Sequence, residues 1–205
     1  MRILFLSSFS LILFTLISCK NENQQVVETT EKIEIPFDSL KGEYIETGKQ
    51  IAMESGKTLK SKLMESISKG GLENGLTVCN SVAQSMMDSL SKAHGVEIRR
   101  TTLKARNTKD KPLEYELEIL KMYETKHNEG SQLQAEVKEM ASGDVMFFMP
   151  IMIEETCVKC HGEIGKDVPQ KLYDKIKEKY PDDEAFNYKV GDFRGMWSIK
   201  MKKKD

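Results

Sequence analysis

The sequence has few cysteines and no excess of charge of one sign. Four cysteines among 205 residues are too few for a disulfide-stapled scaffold. With 31 basic and 32 acidic residues the formal net charge is −1, so no global positive field exists to hold nucleic acid, and DNA or RNA binding is disfavoured. The 39% of hydrophobic and 31% of charged residues are typical of one soluble globular domain with an additional segment.

The sequence also lacks a hydrophobic run long enough to be a convincing membrane span. Its apolar run, residues 3–17, follows Arg2 and is typical of a secretion signal. The run ends in Leu16-Ile17-Ser18-Cys19, which resembles the lipobox of bacterial lipoproteins. The resemblance implies a signal peptide over residues 1–18 and a diacylglyceryl anchor on Cys19. The protein would then sit on a membrane of the cell envelope, facing the periplasm or in the outer membrane. An ordinary signal with an incidental cysteine is the alternative.

A polar segment follows the signal. Residues 20–32 are dominated by Asn, Gln, Glu and Thr, which cannot bury a core. We therefore predict a flexible tether over residues 19–37 and one folded domain over residues 38–205.

The folded domain begins with helical patterns. Apolar residues recur every three to four positions over residues 38–68, which predicts a long amphipathic helix ended by Gly70-Gly71. A second helix with the same spacing is predicted from Leu72 to about Leu90, and Gly95 ends it.

Shorter segments follow, and their periods predict a strand, a helix, a hairpin, a helix and a last strand. They lie at residues 96–103, from Pro112 to His127, at 133–137 and 145–153 around a turn at 142–144, at 169–179, and at 191–201. In the last strand one face is predicted to carry Phe193, Gly195, Trp197, Ile199 and Met201. Helices followed by antiparallel strands with a short helical insert predict an α+β fold.

The chemistry of the chain is concentrated in Cys157-Val158-Lys159-Cys160-His161, the Cys-x-x-Cys-His signature of c-type haem attachment. Two thiols at this spacing reach the two vinyl groups of one porphyrin, and the adjacent imidazole is held beneath the iron as an axial ligand. We therefore predict one covalent haem c on Cys157 and Cys160, with His161 as a ligand of the iron. Secretion favours this, because covalent haem attachment in bacteria occurs outside the cytoplasm.

Three other interpretations of the motif compete with haem. A zinc ribbon would need a second pair of thiols, and only Cys79 remains. A thioredoxin-like redox pair belongs in a βαβ unit, which the downstream pattern lacks. A structural disulfide between Cys157 and Cys160 would close a very small loop and stabilise little.

The residues alone leave the second axial ligand of the iron open. The candidates are Cys79, His94, His127, Met146, Met149 and Met152. Each also has a structural interpretation. The methionines suit core filling, His94 an exposed helix end, His127 a half-buried position and Cys79 a small buried hydrophobe.

Further motifs are specific in combination. They are Gly75-Leu76-Thr77-Val78-Cys79, Ile98-Arg99-Arg100-Thr101-Thr102-Leu103-Lys104-Ala105-Arg106-Asn107, Tyr180-Pro181-Asp182-Asp183 and Gly191-Asp192-Phe193-Arg194-Gly195. With the cysteine motif they resemble the bacterial c-type haem proteins with a PAS-like domain, a family first known as a domain of unknown function. The resemblance runs from about Gly48 to Lys200. It departs at Gln84 and Thr108, where the family often has proline.

This resemblance implies a PAS-like antiparallel sheet with long N-terminal helices and a covalent haem whose axial ligands are His161 and Cys79. A Cys79 thiolate on ferric iron would lower the reduction potential relative to a methionine ligand. The haem would also bring two propionates, which pair with guanidinium in a forked geometry. Candidate partners, some of which would be plain surface charges, are Arg99, Arg100, Lys104, Arg106 and Arg194.

The expected function is redox or small-ligand sensing by a membrane-anchored mono-haem protein. A labile iron–sulfur bond would respond to the redox state or to a diatomic gas such as nitric oxide or carbon monoxide. The alternative is an envelope electron carrier of cytochrome c type. An enzyme such as a peroxidase is disfavoured, because two strong axial ligands leave no open site. Either function needs a redox or signalling protein as partner, which the sequence does not name.

Overall fold

The structure, a computed structural model, describes residues 36–204. Its elements in chain order are α1 (Phe37–Thr77), a π-helical turn (Val78–Val82), α2 (Ala83–His94), β1 (Glu97–Thr101), a 3-10 turn (Thr108–Asp110), α3 (Glu114–Asn128), β2 (Glu136–Glu139), β3 (Asp144–Met152), α4 (Val158–His161), α5 (Gln170–Lys179) and β4 (Phe193–Lys202). The predicted signal peptide, Cys19 and nearly all of the tether lie outside the described residues. In the described part, no helix combines the length and apolar character needed to cross a membrane.

The four strands form one antiparallel sheet in the order β1-β4-β3-β2. β2 and β3 form the predicted hairpin, in which Glu139 lies opposite Val145. Long helices together with an antiparallel sheet confirm the predicted α+β class. The PAS-like character of the sheet stays a prediction.

The long helical region bends where the sequence predicted an end. Gly70 and Gly71 leave helical geometry, and the φ of Gly71 is 73°, a value that glycine adopts without steric cost. Beyond the bend, Gly75 packs so closely on the preceding arm that a Cβ there would lie 2.8 Å from Cγ1 of Ile67. The second arm continues through the π-helical turn into α2 and ends, as predicted, at Gly95.

The sheet separates two apolar cores. On one face, α1 and α2 pack over Phe147, Trp197 and Ile199. On the other face, α3 packs over Phe148 and Met196. Side chains alternate along a strand, and helices cover both sides of the sheet, so both faces of β4 are buried.

The predicted placement of Phe193 beside Trp197 is wrong. The pairing of β3 with β4 shifts register near the start of β4, which reverses the alternation there. Phe193 therefore lies on the α3 side, where its ring centroid is 5.7 Å from that of Tyr123. Gly195 makes this possible, because a Cβ at this residue would lie 2.4 Å from the Thr101 carbonyl oxygen.

The approach of α1 to the sheet depends on Gly48. A Cβ at Gly48 would lie 2.2 Å from Cγ of Phe147, whose side chain is fully buried. Gly42 lies on the same helix with nothing within 4 Å of an added Cβ. The two glycines thus form a matched pair, one under the sheet and one exposed.

We predict opposite effects of Gly48→Ala and Gly42→Ala on stability. Overpacking at Gly48 should cost about 1–3 kcal/mol, whereas alanine at Gly42 should gain up to about 1 kcal/mol from helix propensity. In a domain of this size each kcal/mol moves the Tm by about 2–4 °C. Thermal unfolding followed by circular dichroism measures both variants. Equal Tm values for the two would show that α1 does not approach Phe147 as described.

Candidate functional site

The Cys-x-x-Cys-His motif forms a single helical turn. The Cys157 carbonyl accepts hydrogen bonds from the backbone N–H of Cys160 at 3.1 Å and of His161 at 2.9 Å. Positions i, i+3 and i+4 of a helical turn lie on one side, so the two thiols and the imidazole belong to one surface. Both thiols are free and half-buried, and no disulfide joins them. Burial raises the pKa of Cys160 to about 11, so this residue is a neutral thiol at physiological pH.

The His161 imidazole is oriented by one backbone group. Its Nδ1 lies 2.8 Å from the carbonyl oxygen of Ala185. A carbonyl only accepts, so Nδ1 carries the proton and donates. The pKa of His161 is well below its usual value, because protein atoms displace water and because Arg106 and Arg194 add positive charge. The ring is therefore neutral, and the lone pair of Nε2 is available to a metal.

A cavity of about 630 Å³ opens beside the motif, between α1 and the sheet. Cofactor pockets usually have volumes of roughly 300–1,000 Å³. Its walls include Ala52 and Leu63 of α1 and Trp197 of β4, and Cys157 and His161 lie at its motif end. The cavity is thus large enough for a cofactor and is reached by two of the three motif side chains.

Cys79, the predicted second ligand, lies in the π-helical turn between α1 and α2. Such turns are rare and often mark functional sites. The residue is exposed, yet enough protein surrounds its sulfur to raise the thiol pKa, against the opposing charges of Arg100 and Arg106. The same two arginines also lower the pKa of His161. Cys79 and His161 therefore share one electrostatic environment, although Cys79 is not among the residues that line the cavity.

Of the predicted propionate partners, Arg99 and Arg100 point to opposite faces of β1. Arg99 pairs on the α3 side with the fully buried Glu116, with its Nε 3.2 Å from a carboxylate oxygen. Arg100 instead lines the cavity, and within residues 36–204 its side chain makes no hydrogen bond or ion pair. Arg100 is therefore a cavity cation that is available to a carboxylate group of a ligand.

Arg194 and Lys104 both lie over the aromatic ring of Tyr188. The Arg194 guanidinium and the Lys104 ammonium are 5.4 Å and 5.7 Å from the ring centroid of Tyr188. Arg194 also donates to the Thr102 hydroxyl at 2.7 Å and lines the cavity. Lys104 does not line it, so only the arginine keeps the predicted position.

Arg106 is buried and already has partners inside the protein. Its Nε donates to Asp183 at 3.2 Å, and its Nη2 donates to the carbonyls of Cys160 at 2.7 Å and Ala185 at 3.0 Å. These bonds use the Nε and Nη2 groups of the guanidinium inside the protein. The structure thus places Arg106 behind the motif turn rather than at a free carboxylate site.

The other candidate ligands lie in several places. Met149 and Met152 line the cavity, whereas Met146 is buried in the α3-side core. His94 is paired with Glu54, and its Nε2 is 3.1 Å from a carboxylate oxygen. His127 is half-buried at the end of α3, as expected. The structure therefore retains the two cavity methionines as alternatives to Cys79.

Two contributions to the site were not predicted. Asp110 lines the cavity near Arg100 and Arg194, and burial raises its carboxyl pKa. No pattern in the sequence singles it out. The segment 183–188 supplies the Ala185 carbonyl and the Tyr188 ring. Its first residue, Asp183, belongs to a motif that supports the family resemblance, but no function was predicted for that motif from the sequence.

The donor set fits a covalently attached haem. Two free thiols and a neutral imidazole with a free Nε2 lie on one helical turn beside a cavity of suitable size. Within residues 36–204 no group of three or more His, Cys, Asp or Glu side chains is arranged to hold a bare metal ion. The zinc-ribbon interpretation therefore gains no support from the described part of the chain.

Comparison with known proteins supports a haem protein family. None of the curated proteins is significantly similar to this chain. The crystal structure of the cyanobacterial heme-protein Tll0287 is similar, with a TM-score of 0.54 and 26% sequence identity over 78% of this chain and 96% of that chain. A family model described as Tll0287-like matches residues 16–202, which is most of the sequence. The chain belongs to the Tll0287-like family.

Proposed function

We propose that this chain is a haem-binding protein that senses the redox state or a small diatomic ligand at the cell envelope. The observation that carries the proposal is the His161 imidazole, which is neutral, held through Nδ1 by the Ala185 carbonyl and placed beside two free thiols. Membership of a family whose solved member is a heme-protein supports the choice of cofactor. One haem would be attached through Cys157 and Cys160, with His161 as one axial ligand.

Bound haem would supply a one-electron couple and, if an axial position opened, a site for a diatomic gas. The residues around it would hold its carboxylates. Arg100 and Arg194 line the cavity, and Asp110 lies near them and offsets part of their positive charge. Two cations in a partly closed cavity favour carboxylate groups.

Cys79 is proposed as the second axial ligand and as the responsive one. Burial raises its thiol pKa, so the thiolate is stable only while a nearby positive charge compensates it. Ferric iron carries one more positive charge than ferrous iron, so reduction favours protonation and release of the Cys79 sulfur. This gives the chain a redox-dependent change at a residue of the π-helical turn.

This chain would act as a sensor rather than as an enzyme, and it would pass the signal to a partner protein. Lipidation of Cys19 would hold it on the membrane. The alternative, an envelope electron carrier, requires that both axial ligands stay bound in both redox states. The two functions therefore differ in a measurable property of the iron site.

The first prediction concerns attachment. The exported wild-type protein should carry one haem that survives denaturation, seen as a haem-sized mass increment. Cys157→Ala and Cys160→Ala should each reduce the covalently bound haem several-fold, since each removes one thioether. Cys79→Ala is the matched control and should keep the full covalent increment. A bare polypeptide mass for the wild type, from cells with working haem maturation, would contradict the proposal.

The second prediction concerns the axial ligand and separates sensor from carrier. Absorption spectra of the haem-loaded protein are recorded in the oxidised and the reduced state, with and without carbon monoxide. We expect thiolate-type features in the ferric state that are lost on reduction, followed by carbon monoxide binding. Cys79→Ala should remove these features and raise the reduction potential, whereas Met149→Leu and Met152→Leu should not. Low-spin spectra in both the oxidised and the reduced state that do not change on addition of carbon monoxide would favour the electron carrier.

The third prediction concerns the anchor. Cys19→Ala should move the exported protein from the membrane fraction to the soluble fraction, because two acyl chains provide the stable anchoring. The control is Cys157→Ala, which changes a cysteine in the folded domain. This variant should stay in the membrane fraction. Membrane retention of Cys19→Ala would refute the lipoprotein assignment.

A further inference from the structure

The Ala185 carbonyl accepts two hydrogen bonds from different parts of the chain. His161 Nδ1 lies 2.8 Å from its oxygen, and Arg106 Nη2 donates to the same oxygen at 3.0 Å. A carbonyl oxygen has two lone pairs, so these two donors saturate it. Ala185 itself is fully buried, which excludes water as a competing donor.

The residue that carries this carbonyl is also held through its backbone N–H. Ala185 N–H donates to Asp183 Oδ1 at 2.9 Å, and the same oxygen accepts from Arg106 Nε at 3.2 Å. The Nη2 of Arg106 lies 3.1 Å from the second carboxylate oxygen of Asp183. Arg106 and Asp183 therefore hold the two backbone polar groups of Ala185, whose oxygen orients the imidazole.

The guanidinium also fixes the motif turn. Its Nη2 donates at 2.7 Å to the carbonyl of Cys160, the residue before His161. Backbone bonds complete the docking, because Tyr188 N–H donates to the His161 carbonyl and Asn187 N–H to the Gly162 carbonyl, both at 2.9 Å. The Arg106 guanidinium thus bonds both to the backbone next to His161 and to the Ala185 carbonyl that accepts from the imidazole.

We propose that Arg106 is a positioning residue that sets the orientation of His161 and its electron donation to the iron, through the Ala185 carbonyl that both residues share. The inference rests on the proposed haem function. An acceptor on the non-ligating nitrogen makes a histidine a stronger electron donor. A guanidinium on the same carbonyl withdraws electron density and weakens that acceptor. Its charge also disfavours ferric iron relative to ferrous iron, and Asp183 compensates part of that charge.

Substitutions of Arg106 and of Asp183 should shift the reduction potential in opposite directions. Arg106→Gln removes the cation and frees the carbonyl, so the reduction potential should shift to more negative values. Asp183→Asn leaves the guanidinium uncompensated, so the potential should shift to more positive values. The double variant, in which both members are neutral, should return towards the wild-type potential. A purely structural role would disorder the turn in both single variants and would not give shifts of opposite sign.

The experiment is a spectroscopic redox titration of the haem-loaded, exported protein. Glu116→Gln is the matched control, because it breaks another arginine–carboxylate pair on the opposite face of the sheet. It should lower the Tm and leave the potential unchanged. Removing one member of a buried pair is strongly destabilising. If Arg106→Gln does not accumulate, Asp183→Asn alone decides, since its amide oxygen can still accept from Ala185 N–H.

The outcomes separate the two proposals. A wild-type protein without haem would overturn the proposed function and with it this inference. Full haem loading with unchanged potentials, or with shifts of the same sign in both single variants, would overturn only the inference. Opposite shifts with an unchanged Glu116→Gln control would establish it.

Discussion

The buried ion pair between Arg106 and Asp183 is the contact on which the geometry of the motif depends. The two residues are 77 positions apart, and their contact joins the loop after β1 to the segment after α5, with the motif turn between them. Burying two charges is costly unless their remaining polar atoms are satisfied. On the arginine side, Nη2 meets part of this condition through its bonds to the Cys160 and Ala185 carbonyls. The bonds that offset the desolvation of the pair are thus the bonds that fix the motif turn.

The sheet determines which charges reach the cavity. Adjacent side chains on a strand point to opposite faces, so Arg99 neutralises Glu116 under α3 while Arg100 faces the cavity. The register shift near the start of β4 then brings Arg194 to the same side. The cavity therefore collects cations that lack a full complement of anions from the protein. This imbalance supports a ligand that carries its own carboxylates.

Local patterns predicted most of the fold, because each element has its own period and glycine stops. Gly70-Gly71 and Gly95 marked helix ends, and the alternation before residues 142–144 with the apolar run after them marked the hairpin. The register shift in β4 has no period of its own, which is why Phe193 was placed on the wrong face. The chemical motif was visible because its three residues are adjacent in sequence. The support from Asp183 and Ala185 was not, since it comes from a segment that only the tertiary fold brings to the motif.

The two proposed axial ligands are held very differently, and this difference favours a sensor over a carrier. His161 lies on a turn that is docked by the Arg106 network and by backbone bonds from residues 187 and 188. Cys79 lies in a π-helical turn, a rare geometry that is frequent at functional sites, and the residue is exposed. An electron carrier gains from two rigid ligands, because any movement on reduction slows the transfer. His161 is docked by many bonds, whereas Cys79 lies exposed in a π-helical turn, and this contrast supports the proposed change of coordination at Cys79.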